Sequence, residues 1–303
     1  MMNDKNAYIR EIERLNLELI NLKNDVVYQS GLGLLKLKKQ GIKGIMSAIK
    51  RRKAFKNVKQ IFVNYNLPLK EQQELARTGK EDIKVVVYTC ITGKYDNLVS
   101  PYIYPNNIDY ILYSDLVDAQ GWNHKDIPEK LRKKYNNALI NRYIKFHPFE
   151  LFQDKYDFSI YIDGNITPIS DLSVLTELIN TEIGIAFHSH CTRNCIYEEV
   201  KACQILKKGN LVQLEKQVKR YKGEGFPKEF GMVEGNVIVT DLKNTKAKKL
   251  FSECWDELIR SESGRDQMVW PYLFWKKEIE IERICSLGKN VYYNPKLRIK
   301  QHS

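Results

Sequence analysis

The chain has 303 residues, 43% of which are hydrophobic, and carries a formal net charge of +12. This composition excludes an intrinsically disordered chain, and no apolar run approaches the roughly 20 residues that a membrane-spanning helix requires. Six cysteines without a signal-peptide pattern predict free thiols in a reducing compartment, the cytoplasm.

The first predicted element is a helix over residues 1–30. Its apolar residues alternate four and three positions apart, at Tyr8, Ile12, Leu15, Leu19, Leu22 and Val26. This spacing places them on one seam of a helix, as in a short coiled coil. Two interpretations stay open: residues 8–26 pair two protomers into a homo-oligomer, or the seam docks on the protein's own body.

A basic segment and linker are predicted over residues 31–80. Between Lys36 and Lys59 there are ten cations, interleaved with apolar side chains, and no acidic residue. This pattern is typical of peripheral attachment to an anionic membrane, here the inner face of the cell membrane, although a solvated basic helix or linker also fits. Nucleic acid is not an expected partner, because aromatic side chains that stack on bases are nearly missing. Removing residues 1–60 is expected to release the protein from membranes and to preserve activity.

Residues 81–303 are predicted to form an α/β domain. Apolar runs such as "KVVVY", "DYILY", "FSIYI", "EIGIAF" and "GNVIV" alternate with helical segments, and polar or acidic residues follow each run. Alternating strands and helices indicate a Rossmann-like sheet flanked by helices. Ligands bind such open sheets at the carboxyl ends of their strands.

The run "KYDFSIYIDGN" ends one of these strands in Asp163, Gly164 and Asn165. A plain turn explains the tripeptide, since glycine suits a position with positive φ. A carboxylate and an amide oxygen at a strand end also suit a hard divalent cation that carries phosphates. Asp163 and Asn165 are therefore candidate metal ligands.

Several segments together resemble known glycosyltransferases. "KYDFSIYIDGNITPISDL" is similar to the metal-binding segment of GT-A glycosyltransferases. "YTCITGKYDNL", "YILYSDL" and "FHSHCTRNCIYEE" resemble a glycosyltransferase-like family of plants and bacterial polysaccharide loci, first described as a domain of unknown function. The order of later motifs is similar to that of glycogenin-like transferases. The resemblance covers residues 83–303.

This resemblance implies a GT-A-like mixed sheet, with Mn²⁺ or Mg²⁺ as cofactor. The implied substrates are a nucleotide-sugar donor and a glycan or lipid-linked acceptor, in the synthesis of a bacterial surface polysaccharide such as a capsule. Asn236 and Gln267 match positions that bind substrate, and His302 matches a late histidine that completes the metal shell. Asn165 replaces the second aspartate of the usual metal motif, which implies weaker metal affinity.

Chemical arguments assign the remaining candidates. A departing diphosphate requires cations, for which Arg142, Lys145 and Arg193 are the candidates. A carboxylate near the sugar is Asp266, with Glu234 as the competitor. The other candidates for nucleotide or substrate binding are Thr89, Tyr95, Asp96, Asp115 and His188, where the aspartates suit ribose hydroxyls or uracil.

Three alternatives are weighed beside the transferase. His188 or His190 could replace His302 in the metal shell. Structural zinc on His188, His190, Cys191 and Cys195 is disfavoured, because neighbouring residues on a strand point to opposite faces. A metal-dependent hydrolase of a glycan or lipid would use the same aspartate, and a non-catalytic membrane adaptor would explain only the N-terminal 80 residues.

Overall fold

The computed structural model describes residues 2–60, 79–93, 98–115 and 120–300. Its centre is a six-stranded sheet in the order β3-β2-β1-β4-β7-β6. The strands of this sheet are β1 (Val85–Ile91), β2 (Ile108–Ser114), β3 (Asn123–Asp126), β4 (Phe158–Ile162), β6 (Ile185–Ser189) and β7 (Val233–Asp241). A second sheet pairs β5 (Ile166–Pro168) with β8 (Leu297–Ile299).

The main sheet is mixed. Strands β1 to β4 pair in parallel, whereas β7 runs antiparallel to both β4 and β6. Alternate residues of β1 enter different cores: Val86 and Tyr88 face one apolar cluster, and Val85 and Val87 face the other. The sheet is thus buried on both faces, as an α/β architecture requires.

Helices cover the sheet and extend from it. They are α1 (Met2–Asn24), α2 (Val26–Phe55), α3 (Glu129–Lys134), α4 (Asn137–Phe146), α5 (Pro148–Phe152), α6 (Ile196–Leu206), α7 (Leu211–Gly223), α8 (Thr245–Ser261) and α9 (Val269–Lys276). Asparagine side chains cap three of them: Asn136, Asn210 and Asn244 accept from backbone N–H groups in the first turns of α4, α7 and α8. This architecture confirms the predicted α/β class, a mixed sheet flanked by helices with an N-terminal helical extension.

Helix α1 packs on the protein's own body. Ile9, Glu13 and Asn16 are buried, and the amide of Asn16 donates to the carbonyl oxygens of Pro295 and Leu297 at 3.0 and 3.1 Å. Docking on the body is thus the arrangement observed within one chain. The docked face differs from the heptad seam, because Tyr8, Leu15, Leu22 and Val26 remain exposed.

A buried ion pair completes this docked interface. The Lys296 ammonium lies 2.6 Å from Glu13 Oε1, and Ser170 donates a hydrogen bond to the same oxygen. Lys296 is fully enclosed. Because an isolated buried charge is costly, each partner requires the other. Helix α1 packs on the body through this pair, which argues against the expectation that residues 1–60 can be removed with activity preserved.

The basic segment folds as helix α2. The Asp25 carboxylate caps it, accepting from the N–H groups of Val27 and Tyr28, and Gly41 bends it at φ 60°. Cations and apolar side chains such as Met46 and Ile49 are exposed together. Neither α2 nor any other described helix has the length and apolar character needed to cross a membrane.

Candidate active site

A cleft of about 1230 Å³ opens where β1 and β4 end. The end of β1, the first turns of α4 and the turn after β4 form one side. The other side is formed by the start of β7 and by residues 208–210 and 262–267. The parallel strands β1 and β4 direct their carboxyl ends to this place, which is where open α/β sheets bind ligands.

Asp163 lies at the end of β4 and lines the cleft. The Tyr161 hydroxyl donates to its Oδ1 at 2.9 Å, and its backbone N–H donates to the carbonyl oxygen of Asn236 at 2.9 Å. Burial, and then the charge of Asp163, raises the pKa of Tyr161 well above its ordinary value. Tyr161 therefore stays protonated and holds one carboxylate oxygen in a fixed orientation.

Asp266 forms the base of the cleft with two cations. Its carboxylate forms an ion pair with Lys145 and lies 3.2 Å from the Nε of Arg142. Burial opposes its ionisation, but the positive charges of Arg142 and Lys145 prevail and hold its pKa well below the usual range. Asp266 is thus a permanent anion that fixes the two cations in place.

Gly235 on β7 allows this cluster to approach the sheet. A Cβ atom at position 235 would lie 3.1 Å from the Lys145 ammonium and 3.5 Å from Asp266 Oδ2. The same ammonium lies 5.1 Å from the centre of the Tyr161 ring, a favourable contact between a cation and an aromatic face. Asp163 and Asp266 are therefore linked through Tyr161 and Lys145.

The neighbouring residues of β7 also line the cleft. The Glu234 side chain is 15% exposed. Asn236 Oδ1 is buried and has no hydrogen-bond partner among the described residues. Gln267 lines the cleft too, and its amide donates to the carbonyl oxygen of Val233. β7 thus presents a carboxylate and an unsatisfied amide oxygen to the cleft.

Asp115 lies beside the rim of the cleft. It accepts from the N–H of Gly93 at 3.0 Å and pairs with Arg132 at 2.6 Å. Burial disfavours its ionised form, but the Gly93 hydrogen bond and Arg132 together lower its pKa. Thr89 is fully buried in β1 and does not line the cleft.

Three further candidates lie outside the cleft lining. His188 is fully buried, its Nε2 is 3.1 Å from the Asn294 amide, and burial lowers its pKa to about 3. Arg193 pairs with Glu199. The Asn165 amide donates to the carbonyl oxygen of Lys300 at 2.8 Å. A register irregularity after Phe187 changes the alternation of side chains, which explains why strand position alone misplaced His188.

Tyr95, Asp96 and His302 lie outside the described residues, so these three assignments stay predictions.

Two tyrosines were missed by the sequence analysis. Tyr161 precedes Asp163 by two positions, and residues two apart on a strand share a face, so the spacing was an available signal. Tyr292 has no such signal, because it comes from a distant loop. Its pKa is raised to about 12, by burial and then by Glu234, Cys191 and Asp163. The Tyr292 side chain is half exposed and lies outside the cleft lining.

The oxygen donors at the cleft fit a hard divalent cation. Asp163 supplies a carboxylate, and Asn236 supplies a buried oxygen without a partner in the described part of the chain. Backbone pairing holds these two residues side by side. Oxygen ligands of this kind are those that Mg²⁺ and Mn²⁺ prefer.

Solved structures that resemble this chain include three glycosyltransferases, each at low sequence identity. The bifunctional glycosyltransferase WbbM in its apo form is 13% identical, covers 69% of this chain and 39% of its own, and gives a TM-score of 0.42. Galactosyltransferase LgtC in complex with donor and acceptor sugar analogues is 14% identical, with 63% and 70% covered and a TM-score of 0.37. Apo GlyE of Streptococcus pneumoniae TIGR4 is 13% identical, with 64% and 43% covered and a TM-score of 0.33.

Likenesses at this level carry no argument about the site, and this chain spans well under half of WbbM. Comparison with curated proteins gives no match.

The comparison with protein families gives a stronger result. Residues 133–294, more than half of the chain, match the model of the TOD1/MUCI70 glycosyltransferase-like domain. The matched region contains Arg142, Asp163, Glu234 and Asp266, and it confirms the resemblance to a glycosyltransferase-like family. The chain belongs to the TOD1/MUCI70 family of glycosyltransferase-like domains.

Proposed function

We propose that this glycosyltransferase is metal-dependent and moves a sugar from a nucleotide-sugar donor to a glycan or lipid-linked acceptor in surface polysaccharide synthesis. One observation carries the proposal. The oriented carboxylate of Asp163 shares one cleft with two cations, the partly buried Arg142 and the buried Lys145. A nucleotide diphosphate requires both features: oxygen ligands for a cation that it carries, and positive charge for the leaving group.

The donor diphosphate binds near Arg142 and Lys145 in this proposal. Asp266 neutralises about one of the two positive charges, so the cluster retains a net positive charge. The Arg142 guanidinium is also fixed by the side-chain oxygen of Asn141 at 2.6 Å. Cations that are already oriented stabilise developing charge without further reorganisation.

Asp163 and Asn236 are the residues that would hold Mn²⁺ or Mg²⁺. The ion would act as a Lewis acid on the diphosphate oxygens. Tyr161 contributes by restricting Asp163 to one orientation, since it hydrogen-bonds a carboxylate oxygen. The earlier candidate Asn165 uses its amide to pair with Lys300, which favours a role in holding the turn after β4.

Glu234 is the better candidate for the carboxylate that meets the acceptor. A general base must accept a proton, and Asp266 is committed to two cations that depress its pKa. Glu234 lines the same cleft. We assign to Asp266 the positioning of Arg142 and Lys145.

Helix α2 is proposed to hold the enzyme on an anionic membrane surface on the cytoplasmic side. Support comes from the joint exposure of cations and apolar side chains along the helix. The exposed apolar side chains of Tyr8, Leu15 and Leu22 on α1, together with Val26 at the start of α2, support the proposed homo-oligomer.

The central experiment measures nucleotide release from a panel of sugar nucleotides with Mn²⁺ and candidate glycan acceptors. Asp163→Ala should abolish release. Asp126→Ala is the matched control, because Asp126 also ends a strand but is exposed and outside the cleft. Full activity of Asp163→Ala, or undiminished turnover of the wild type in excess EDTA, contradicts the proposal.

A further inference from the structure

A cluster of three polar side chains lies at the edge of the cleft, formed by His190, Cys191 and Glu234. Their ligand atoms lie within 4.8 Å of one another, which suggests a metal site at first sight. The hydrogen bonds of His190 argue against that interpretation. The backbone N–H groups of Thr192 and Arg193 both donate to its Nδ1, at 3.2 and 3.1 Å.

An imidazole nitrogen that accepts two hydrogen bonds carries a lone pair and no proton. The neutral ring must then carry its proton on Nε2, a tautomer assigned from the hydrogen-bond network. Nε2 therefore has no lone pair for a metal ion. The neighbouring thiol is also a poor ligand, because burial, and then Glu234, raises the pKa of Cys191 to about 12.

The proton on Nε2 faces two carboxylates instead. Nε2 lies 3.7 Å from Glu199 Oε2 and 3.8 Å from Glu234 Oε1. Glu199 is buried, and it is held in place by Arg193 and by Arg265 at 3.6 Å. His190 is itself buried and fixed by its backbone contacts. The ring thus lies between an anchored carboxylate and the carboxylate in the cleft, at distances of electrostatic contact that are longer than a hydrogen bond.

The geometry points to His190 as a positioning residue for Glu234. Its Nε2 lies 3.8 Å from Glu234 Oε1, and the backbone N–H of Cys191 donates to the same oxygen at 3.4 Å. Oε2 is then the oxygen that meets an acceptor hydroxyl of a carbohydrate. This inference rests on the proposed function, because it assigns Glu234 the role of base toward that hydroxyl.

Two substitutions separate the contact with Glu234 from the local turn. His190→Asn keeps an oxygen that can accept from the N–H groups two and three residues ahead, as in an Asx turn, but its amide cannot reach Glu234. His190→Gln places an N–H donor near the position of Nε2. His124→Asn is the control, because the His124 ring hydrogen-bonds to the carbonyl oxygen of Ser114 and lies outside the cleft.

We expect His190→Asn to lower kcat by roughly 10- to 100-fold with little change in donor KM, and His190→Gln to recover most of the loss. The melting temperature of His190→Asn should stay within about 2 °C of the wild type, since the turn is kept. Wild-type kcat in His190→Asn, while Asp163→Ala is inactive, overturns the inference and leaves the proposed function standing.

Nitrogen NMR of the imidazole gives a readout that does not depend on activity. The wild-type ring should be protonated on Nε2, and its signals should shift in Glu234→Gln, with no shift in the Asp126→Ala control. Protonation on Nδ1, or no response to Glu234→Gln, overturns the inference even if no donor sugar is turned over.

Discussion

Two lysines of this protein are buried against an acidic side chain, yet their surroundings differ. Lys296 pairs with Glu13 beneath helix α1, and Lys145 pairs with Asp266 at the base of the cleft. The two lysines are 0% and 3% exposed. The first pair is enclosed by α1 and Ser170, whereas the second borders a cleft of about 1230 Å³. A buried charge therefore does not indicate a functional site by itself. A buried charge that borders an open cleft does, because a ligand can reach it.

The enclosed pair should give the largest loss of stability. Glu13→Ala removes the carboxylate that lies 2.6 Å from the buried Lys296 ammonium, so we expect the free energy of unfolding to fall by about 3–5 kcal/mol. Denaturant titration measures this change. Glu11→Ala removes an exposed acid on the same helix and should have little effect on stability.

A double substitution sharpens the same comparison. Glu13 Oε2 has no hydrogen-bond partner in the described part of the chain, so the pair is incompletely satisfied. Glu13→Leu with Lys296→Met should therefore be near the wild type in stability, since apolar residues often replace buried ion pairs without loss. A double variant as unstable as Glu13→Ala would show that the docked interface requires its charges.

The pair in the cleft should instead give the largest loss of turnover. Asp266→Asn releases Arg142 and leaves Lys145 uncompensated, so we expect turnover to fall roughly 100-fold and stability to fall as well. Glu257→Gln is the matched control, because Glu257 is a buried acid paired with Arg220 away from the cleft. It should lower the melting temperature and leave kcat unchanged. Equal loss of kcat in both variants would reduce the role of Asp266 to stability.

Acid should destabilise the protein through His188. Burial lowers its pKa from 6.5 to about 3, so between these values the unfolded chain binds a proton that the folded chain excludes. The free energy of unfolding is therefore unaffected by His188 above about pH 6.5. Below that pH it falls by about 1.4 kcal/mol per pH unit. His188→Gln should remove this slope, and His124→Gln should keep it. A constant difference in unfolding free energy between wild type and His188→Gln from pH 7 to 4 would contradict this prediction.

The cations of α2 should give the smallest effect per residue. Each should contribute on the order of 1 kcal/mol to the free energy of membrane binding at low salt. Because α1 is part of the fold, the test neutralises residues 50–53 to glutamine and keeps α1. Binding to phosphatidylglycerol vesicles should weaken in a flotation assay. The control changes four exposed cations elsewhere: Lys216, Lys219, Lys222 and Lys228. Equal binding of both variants would remove α2 as the membrane-binding element.

Much of the cleft was predictable from the sequence, because strand ends carry a local signal. Asp163 directly follows an apolar run, and the parallel strands bring their ends together. The direction of β7 carries no such signal, since a buried strand has the same composition either way. Sequence position could thus suggest Glu234 and Asn236 but could not place them opposite Asp163.

The docked face of α1 was not predictable, because hydrophobic periodicity detects only apolar contacts. The seam drawn through Tyr8 and Leu15 is largely exposed, and the docked face contains Glu13 and Asn16. Both polar residues find partners in residues 295–297, far away in sequence. From sequence alone, polar residues on a helix are expected to face solvent. Only the tertiary structure shows that these two are buried.

The interface between α1 and the segment before β8 also has a kinetic consequence. Glu13 and Lys296 are 283 positions apart, so their contact closes a very long loop of chain. Closing such a long loop costs conformational entropy before the contact stabilises the chain. We therefore expect this contact to form after the central sheet. Substitutions at Glu13 should then accelerate unfolding and leave the refolding rate nearly unchanged. Helix α1 would then dock late in folding, and its docking would set the unfolding rate and so the lifetime of the folded protein.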